Sequence, residues 1–239
     1  MMLRQGRLLS EGAQMPRSSG RFKDDVIPFY GASDPAMFEI ERRCMDREGL
    51  LVRFLDSILP SGRVLDVGAG DGFTAERLNV GGRTVVAMEP DPGMVSSSRK
   101  LVWASGVAQD IPFHDDSFDG AYSTWAFFLS GTAVHDRGIG LRELGRVVRP
   151  GGPIAIADNA GGDEFCSLSE RRIHGDASWW TRRGYEKHLV ETSFRFDSTE
   201  EARRLLAFYF GSGVLDRVRS AEIGFNIAVY VGSSGEVTP

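Results

Sequence analysis

Cysteine is scarce: Cys44 and Cys166 are the only two in a chain of 239 residues. They form neither a metal-ligand spacing nor a disulfide framework, which points to a reducing compartment. Long apolar runs are missing as well. With no secretory apolar core and no stretch able to span a bilayer, a soluble cytoplasmic protein is expected. Excess positive charge is also lacking. A net charge of −5, from 28 Lys and Arg against 33 Asp and Glu, offers no broad attraction to phosphate backbones or anionic lipid, so neither nucleic acid nor membrane is expected as a partner. No Ser-His-Asp order, metal spacing or carboxylate pair stands out, and no metal is expected. No repeat or low-complexity break divides the chain, whose length suits one domain.

What is present is concentrated in Arg63-Val-Leu-Asp-Val-Gly-Ala-Gly-Asp-Gly-Phe-Thr-Ala-Glu-Arg77. Val64, Leu65 and Val67 read as a short strand covered on both faces. Gly68, Gly70 and Gly72 then free the backbone, and a helix begins at Phe73. Such a loop lets a ligand press against the main chain at a helix N-terminus. A dinucleotide fingerprint requires G-x-G-x-x-G; here the run is G-x-G-x-G, and Phe73 stands where the third glycine belongs. Asp66, just before the loop, would repel a diphosphate and welcome an ammonium group. A cofactor with a positive end is the better match.

Around this stretch the chain reads as alternating strands and helices. Residues 1–23 form a loose N-terminal arm, residues 24–231 a single domain and residues 232–239 a polar tail. Asp34 caps a helix that Pro35 opens, and Leu50, Leu51, Phe54, Leu55, Ile58 and Leu59 mark a helix packed on the sheet. Later strands are expected at 84–88, 102–108, 118–123, 154–158, 189–196 and 223–231, with helices opening at Asp91-Pro92 and covering 73–78, 132–149 and 199–210. The segment Thr124-Trp-Ala-Phe-Phe-Leu129 leaves the fourth strand at the edge where ligands collect in open α/β sheets. Its apolar character would exclude water from a reaction. Residues 159–187 hold Trp179, Trp180, Tyr185 and a basic cluster of Arg171, Arg172, His174, Arg182 and Arg183. They read as a lid or acceptor region above the site, or as a solvated face.

V-L-D-V-G-A-G-D-G resembles the first motif of class I S-adenosylmethionine (SAM) dependent methyltransferases, of the UbiE-like small-molecule branch. Gln109-Asp-Ile-Pro-Phe-His-Asp-Asp-Ser-Phe-Asp119 and Glu143-Leu-Gly-Arg-Val-Val-Arg-Pro-Gly-Gly152 resemble two further family segments, and the resemblance spans about residues 50–158. It implies a Rossmann-like α/β fold: a seven-stranded, mostly parallel sheet in the order 3-2-1-4-5-7-6, helices on both faces and the last strand antiparallel. It also implies SAM as cofactor, with S-adenosylhomocysteine as product. By the same resemblance Gly68 and Gly70 lie against the methionine part, with Asp66 near its ammonium. Glu89 binds the ribose hydroxyls, with Pro90 beside it, and Met94 packs on the adenine. Tyr30 is the aromatic candidate for closing over the cofactor. The family aspartate that accepts from the adenine amino group is replaced here by Val107, leaving the Ala108 amide, Gln109 or Asp110 to hold the base, with Gln109 preferred.

Methyl transfer from a sulfonium is an in-line displacement that asks mainly for alignment in a dry pocket. Trp125 would stabilise the sulfonium through its ring. Phe128, Trp179, Trp180 and Tyr185 are the expected acceptor contacts. Where a base is needed, His135 is the first candidate and His174 the second. The sequence carries no D/N-P-P-Y stretch or Pro-Cys nucleophile of the familiar nucleobase methyltransferases, so a small-molecule acceptor is expected; nothing in it specifies the oligomeric state. An NAD-dependent oxidoreductase, a decarboxypropylating relative using decarboxylated SAM and a non-catalytic SAM-fold binder are the rival readings.

Overall fold

The computed structural model describes residues 30–128 and 137–237. In chain order the elements are α1 (Tyr30–Ser33), α2 (Pro35–Cys44), α3 (Leu50–Ile58), β1 (Gly62–Val67), α4 (Phe73–Leu78), β2 (Arg83–Met88), β3 (Val102–Ala104), β4 (Gly120–Thr124) and α5 (Arg137–Val147). Then follow β5 (Pro153–Asn159), α6 (Glu164–Leu168), α7 (Ala177–Thr181), β6 (Glu186–Arg195), α8 (Thr199–Phe210) and β7 (Glu222–Ser233). The strands form one seven-stranded sheet in the order β3-β2-β1-β4-β5-β7-β6. β1 to β5 run parallel, while β7 is antiparallel to both β5 and β6. This is the expected doubly wound order. It reverses at β1 and β4, so the crevice above their carboxyl ends opens between the two halves of the sheet.

Alternation along the strands divides the core. Val64, Ala87, Tyr122, Ala155 and Ile227 face one layer with α2, α3, α4 and α8. Leu65, Val67, Val86, Met88, Ile154 and Ile156 face the other with α5 and Trp180 of α7. β1 is buried from Val64 to Val67, with Val64, Leu65 and Val67 apolar as a strand covered on both faces requires and Asp66 the one polar residue among them. Asp34 caps α2 as expected, accepting from the Met37 amide at 3.0 Å, with Pro35 at the first position.

Four local expectations change. No helix follows Asp91-Pro92: residues 90–100 are turns, in which the Asp91 carboxylate accepts from the Gly93 amide at 2.8 Å and the Ser96 and Ser98 hydroxyls lie 2.8 Å apart. Aspartate and serine side chains that bond nearby groups compete with helix formation. The third strand stops at Ala104, because Val107 and Asp110 pair in a tight turn instead of extending it. Residues 118 and 119 precede the fourth strand, which begins at Gly120. At the C-terminus the last strand runs on to Ser233, and Ser234 is buried with its hydroxyl on the Gly145 and Val148 carbonyls.

Trp180 and Tyr185 also part from expectation. Trp180 is fully buried, stacked on Tyr230 with ring centroids 5.0 Å apart and edge-on to Tyr185 at 5.2 Å. Trp179 beside it is clamped between the guanidinium groups of Arg137 and Arg183, at 4.0 and 3.8 Å from its ring. Phe128 belongs to the same cluster, 6.5 Å from Trp180. These aromatics fill the layer under β7. Trp180→Ala should therefore cost about 3–5 kcal/mol of unfolding free energy in a urea titration while leaving cofactor affinity unchanged; a small loss of stability would show that the ring is not core.

Candidate active site

The carboxyl ends of β1, β2 and β4 open into a cavity of about 310 Å³. This is near the lower end of ordinary small-molecule sites, roughly 300–1,000 Å³. One half is the glycine loop with Glu89, Pro90, Met94, Val107, Ala108, Gln109 and Trp125. The other half comes from α2, α3 and α4, chiefly Phe38, Glu41, Met45, Leu51, Val52 and Phe73.

The loop is built on the end of β2. The amides of Gly68 and Ala69 both donate to the Met88 carbonyl, at 2.9 and 3.0 Å, so the chain turns away from the strand immediately after Val67. Gly68 has φ +76°, and a Cβ there would lie 2.3 Å from the Ala126 Cβ; only glycine fits between the loop and the segment leaving β4. Gly70 has φ +55° and exposes its backbone to the cavity.

Glu89 closes the loop. Its Oε2 accepts from the Gly70 amide at 2.8 Å and its Oε1 from the Asp91 amide at 2.9 Å. A carboxylate oxygen has two acceptor positions, so each oxygen retains one for a hydroxyl on the cavity side. Two fixed acceptors side by side match a vicinal diol. Burial raises the Glu89 pKa above its ordinary value, while the Asp91 and Gly70 amides pull it back by favouring the charged form.

Asp66 lies under the loop, 1% exposed, and is not part of the cavity wall. Its Oδ2 accepts from the Tyr122 hydroxyl at 2.9 Å, while Oδ1 has no hydrogen-bond partner among the described residues. Burial pushes its pKa up to about 7, against the Tyr122 hydrogen bond and with added repulsion from Glu89. A buried acid with one unpartnered oxygen beneath the loop is suited to a nearby cation.

Pro90, Met94, Ala108, Gln109 and Trp125 all line the cavity. Trp125 is fixed by an indole hydrogen bond to Asn159 Oδ1 at 3.0 Å and lies 6.2 Å from Phe225 in a stacked arrangement. Tyr30 is not on the cavity wall; its ring packs against Phe38, Phe208 and Tyr209. Phe128, Trp179, Trp180, Tyr185 and the basic side chains of 171–183, His174 included, are also absent from the wall, and Phe127 stands there instead of Phe128. His135 lies outside the described residues. The wall contributed by α2 escaped the sequence reading. Its signal was Phe38, Glu41, Arg42 and Met45 at i, i+3, i+4 and i+7, a second helix stripe beside the core stripe of Met37, Ile40 and Cys44.

The sheet order and the glycine loop define a class I, Rossmann-like methyltransferase fold. Residues 65–156 match the family model of the methyltransferase domain. A demethylmenaquinone methyltransferase of Renibacterium salmoninarum is 32% identical over 139 residues, 56% of this chain and 56% of that protein. A malonyl-[acyl-carrier protein] O-methyltransferase of Erwinia pyrifoliae is 29% identical over 152 residues, 61% of this chain and 51% of that one. The chain thus spans about half the length of the curated relatives it matches. Among solved structures, a SAM-dependent methyltransferase from Thermotoga maritima, titled a possible histamine N-methyltransferase, superposes with a TM-score of 0.55 at 18% identity, covering 86% of this chain and all of that one.

Asp66 gives the site a pH signature. Its folded-state pKa is raised, so the folded protein holds the proton more tightly than the unfolded chain. Its contribution to stability is complete below pH 3.8 and declines as pH rises to about 7. Asp66→Asn should remove that decline, so the stability difference between variant and wild type, measured by denaturant unfolding, grows in the variant's favour across this window. A difference independent of pH would contradict the assigned environment.

Proposed function

We propose that the chain transfers a methyl group from SAM to a small-molecule acceptor held in the α2, α3 and α4 half of the same cavity. The observation that carries the reading is Glu89: a buried carboxylate whose two oxygens, each fixed by one backbone amide, present a paired acceptor edge beside the glycine loop. Glu89 would hold the ribose diol, Gly68 and Gly70 the methionine part, and Met94, Ala108 and Gln109 the adenine. When bound, SAM supplies a methyl group already activated by the sulfonium charge.

The protein's share of the work is to align and dry the site. Trp125, held by Asn159, presents an aromatic face beside the loop, where a cation is favoured. Phe38, Met45, Leu51, Val52 and Phe73 make the acceptor half apolar, which excludes water from the displacement. The relatives are named for demethylmenaquinone and for malonyl-[acyl-carrier protein] as acceptors, in keeping with this division. The dinucleotide alternative is weakened by Phe73, whose ring occupies the cavity wall under the Arg77 guanidinium at 3.9 Å. No described helix is long and apolar enough to cross a membrane, and two free cysteines suit the reducing cytoplasm.

Calorimetric titration tests the assignment. SAM should bind and NAD should not. Glu89→Ala should weaken SAM binding roughly 10- to 100-fold, the loss of charge-assisted hydrogen bonds to a hydroxyl pair. An unchanged dissociation constant, or tighter binding of NAD than SAM, would refute it.

A further inference from the structure

One half-buried acid on the cavity wall is left without a task by the proposed cofactor cradle. Glu41 lies on α2 between Phe38 and Met45, and all three face the cavity. Its carboxylate accepts a hydrogen bond from the Tyr30 hydroxyl of α1 and interacts with the Tyr209 hydroxyl of α8; the two hydroxyls are 3.0 Å apart. Three helices therefore meet at this carboxylate. The Tyr30 and Tyr209 rings pack 6.0 Å apart, and Phe165 meets Tyr209 edge-on at 6.0 Å, so the hydroxyls are held in place from behind.

We infer that Glu41 is the catalytic base of the methyl transfer, taking the proton from an acceptor that bears N–H or O–H. The inference rests on the reading of the chain as a methyltransferase. It assigns the acceptor to the amines, phenols and enols, which must lose a proton to end as neutral methylated products, rather than to carboxylates, which arrive already ionised. In the balanced step the acceptor's lone pair forms the new bond to the methyl carbon. The carbon–sulfur bond breaks with its electron pair going to sulfur, which becomes a neutral thioether. The acceptor's proton passes to a Glu41 oxygen and from there to solvent.

The surroundings suit that task. Burial raises Glu41 from 4.5 to about 7, with the Tyr209 hydrogen bond pulling the other way, so the acid takes and releases a proton near neutrality, where a base is most effective. The charged groups around it are engaged elsewhere. Arg42 is paired with Glu39 and Asp71, and Arg43 with Asp197 and Glu201. The Cys44 thiol leans on Glu201 at 3.8 Å. On the cavity wall, the Asp46 oxygens accept from the Leu50 and Leu51 amides at 2.9 Å, and the Arg77 guanidinium covers Phe73. None of these interactions neutralises the Glu41 carboxylate.

The test uses the full chain with three probes, phenol, aniline and benzoate, with SAM present and the methylated product detected by mass from about pH 5 to about pH 9. SAM affinity, measured first by calorimetry, confirms that each variant is folded. We expect transfer to the phenol or the amine, with a rate that climbs through about pH 7. Glu41→Gln should lower that rate about 10²- to 10⁴-fold and flatten the climb while leaving SAM affinity unchanged. Tyr209→Phe removes a hydrogen bond that favours the charged carboxylate and should move the climb to higher pH, an effect that a merely structural strut would not produce. The inference is overturned if Glu41→Gln keeps the wild-type rate and pH profile, if only benzoate is methylated, or if SAM-bound wild type methylates neither proton-bearing probe. Failure of wild type to bind SAM at all would instead remove the methyl-transfer reading, and the base with it.

Discussion

The site depends on the contact between Glu89 and the Gly70 amide. It joins the end of β2 to the loop that leaves β1, and so fixes the floor of the cavity at the point where the sheet order reverses. The contact needs three things at once: a loop without side chains at Gly68 and Gly70, a strand that ends in an acid, and parallel register between β1 and β2 that brings Val67 opposite Met88. Each is set by short-range chemistry. Together they leave a buried carboxylate with acceptor capacity facing a cavity, an arrangement a fold would not keep for stability alone.

Around that floor the two layers do different work. The layer with α5 and α7 is packed solid: Trp180, Tyr185, Tyr230 and Phe128 interlock under β7 and contribute rigidity. The layer with α2, α3 and α8 is packed against the sheet but leaves space at its upper edge. There Phe38, Glu41 and Met45 look across to Trp125 and Phe127. The cavity wall opposite the glycine loop is thus made by the N-terminal helices, not by the region between β5 and β6.

Much of this was legible in the sequence. The strands declare themselves by β-branched runs and the glycine loop by its spacing, because backbone conformation is a local property, whereas Glu89 was reached through the resemblance to a family. The wall opposite the glycine loop was not legible. Phe127 and Phe128 are adjacent, and which of them faces the cavity depends on Trp125, whose φ of +44° turns the chain as it leaves β4 and breaks the strand alternation. Trp180 and Tyr185 looked like pocket aromatics because no local rule separates a ring that meets a ligand from one that meets Tyr230. Nothing local sets Glu41 apart from the other charges of α2. Its role emerges only when α1 and α8, distant in sequence, bring Tyr30 and Tyr209 to it.

The most direct measurement is a crystal structure of the chain grown with S-adenosylhomocysteine. The account requires the ribose on the Glu89 carboxylate, the amino-acid end along Gly68 and Gly70, and the sulfur facing the side of the cavity lined by Trp125 and Glu41. A nucleoside bound elsewhere, or a loop closed against the ligand with Glu89 turned away, would contradict it.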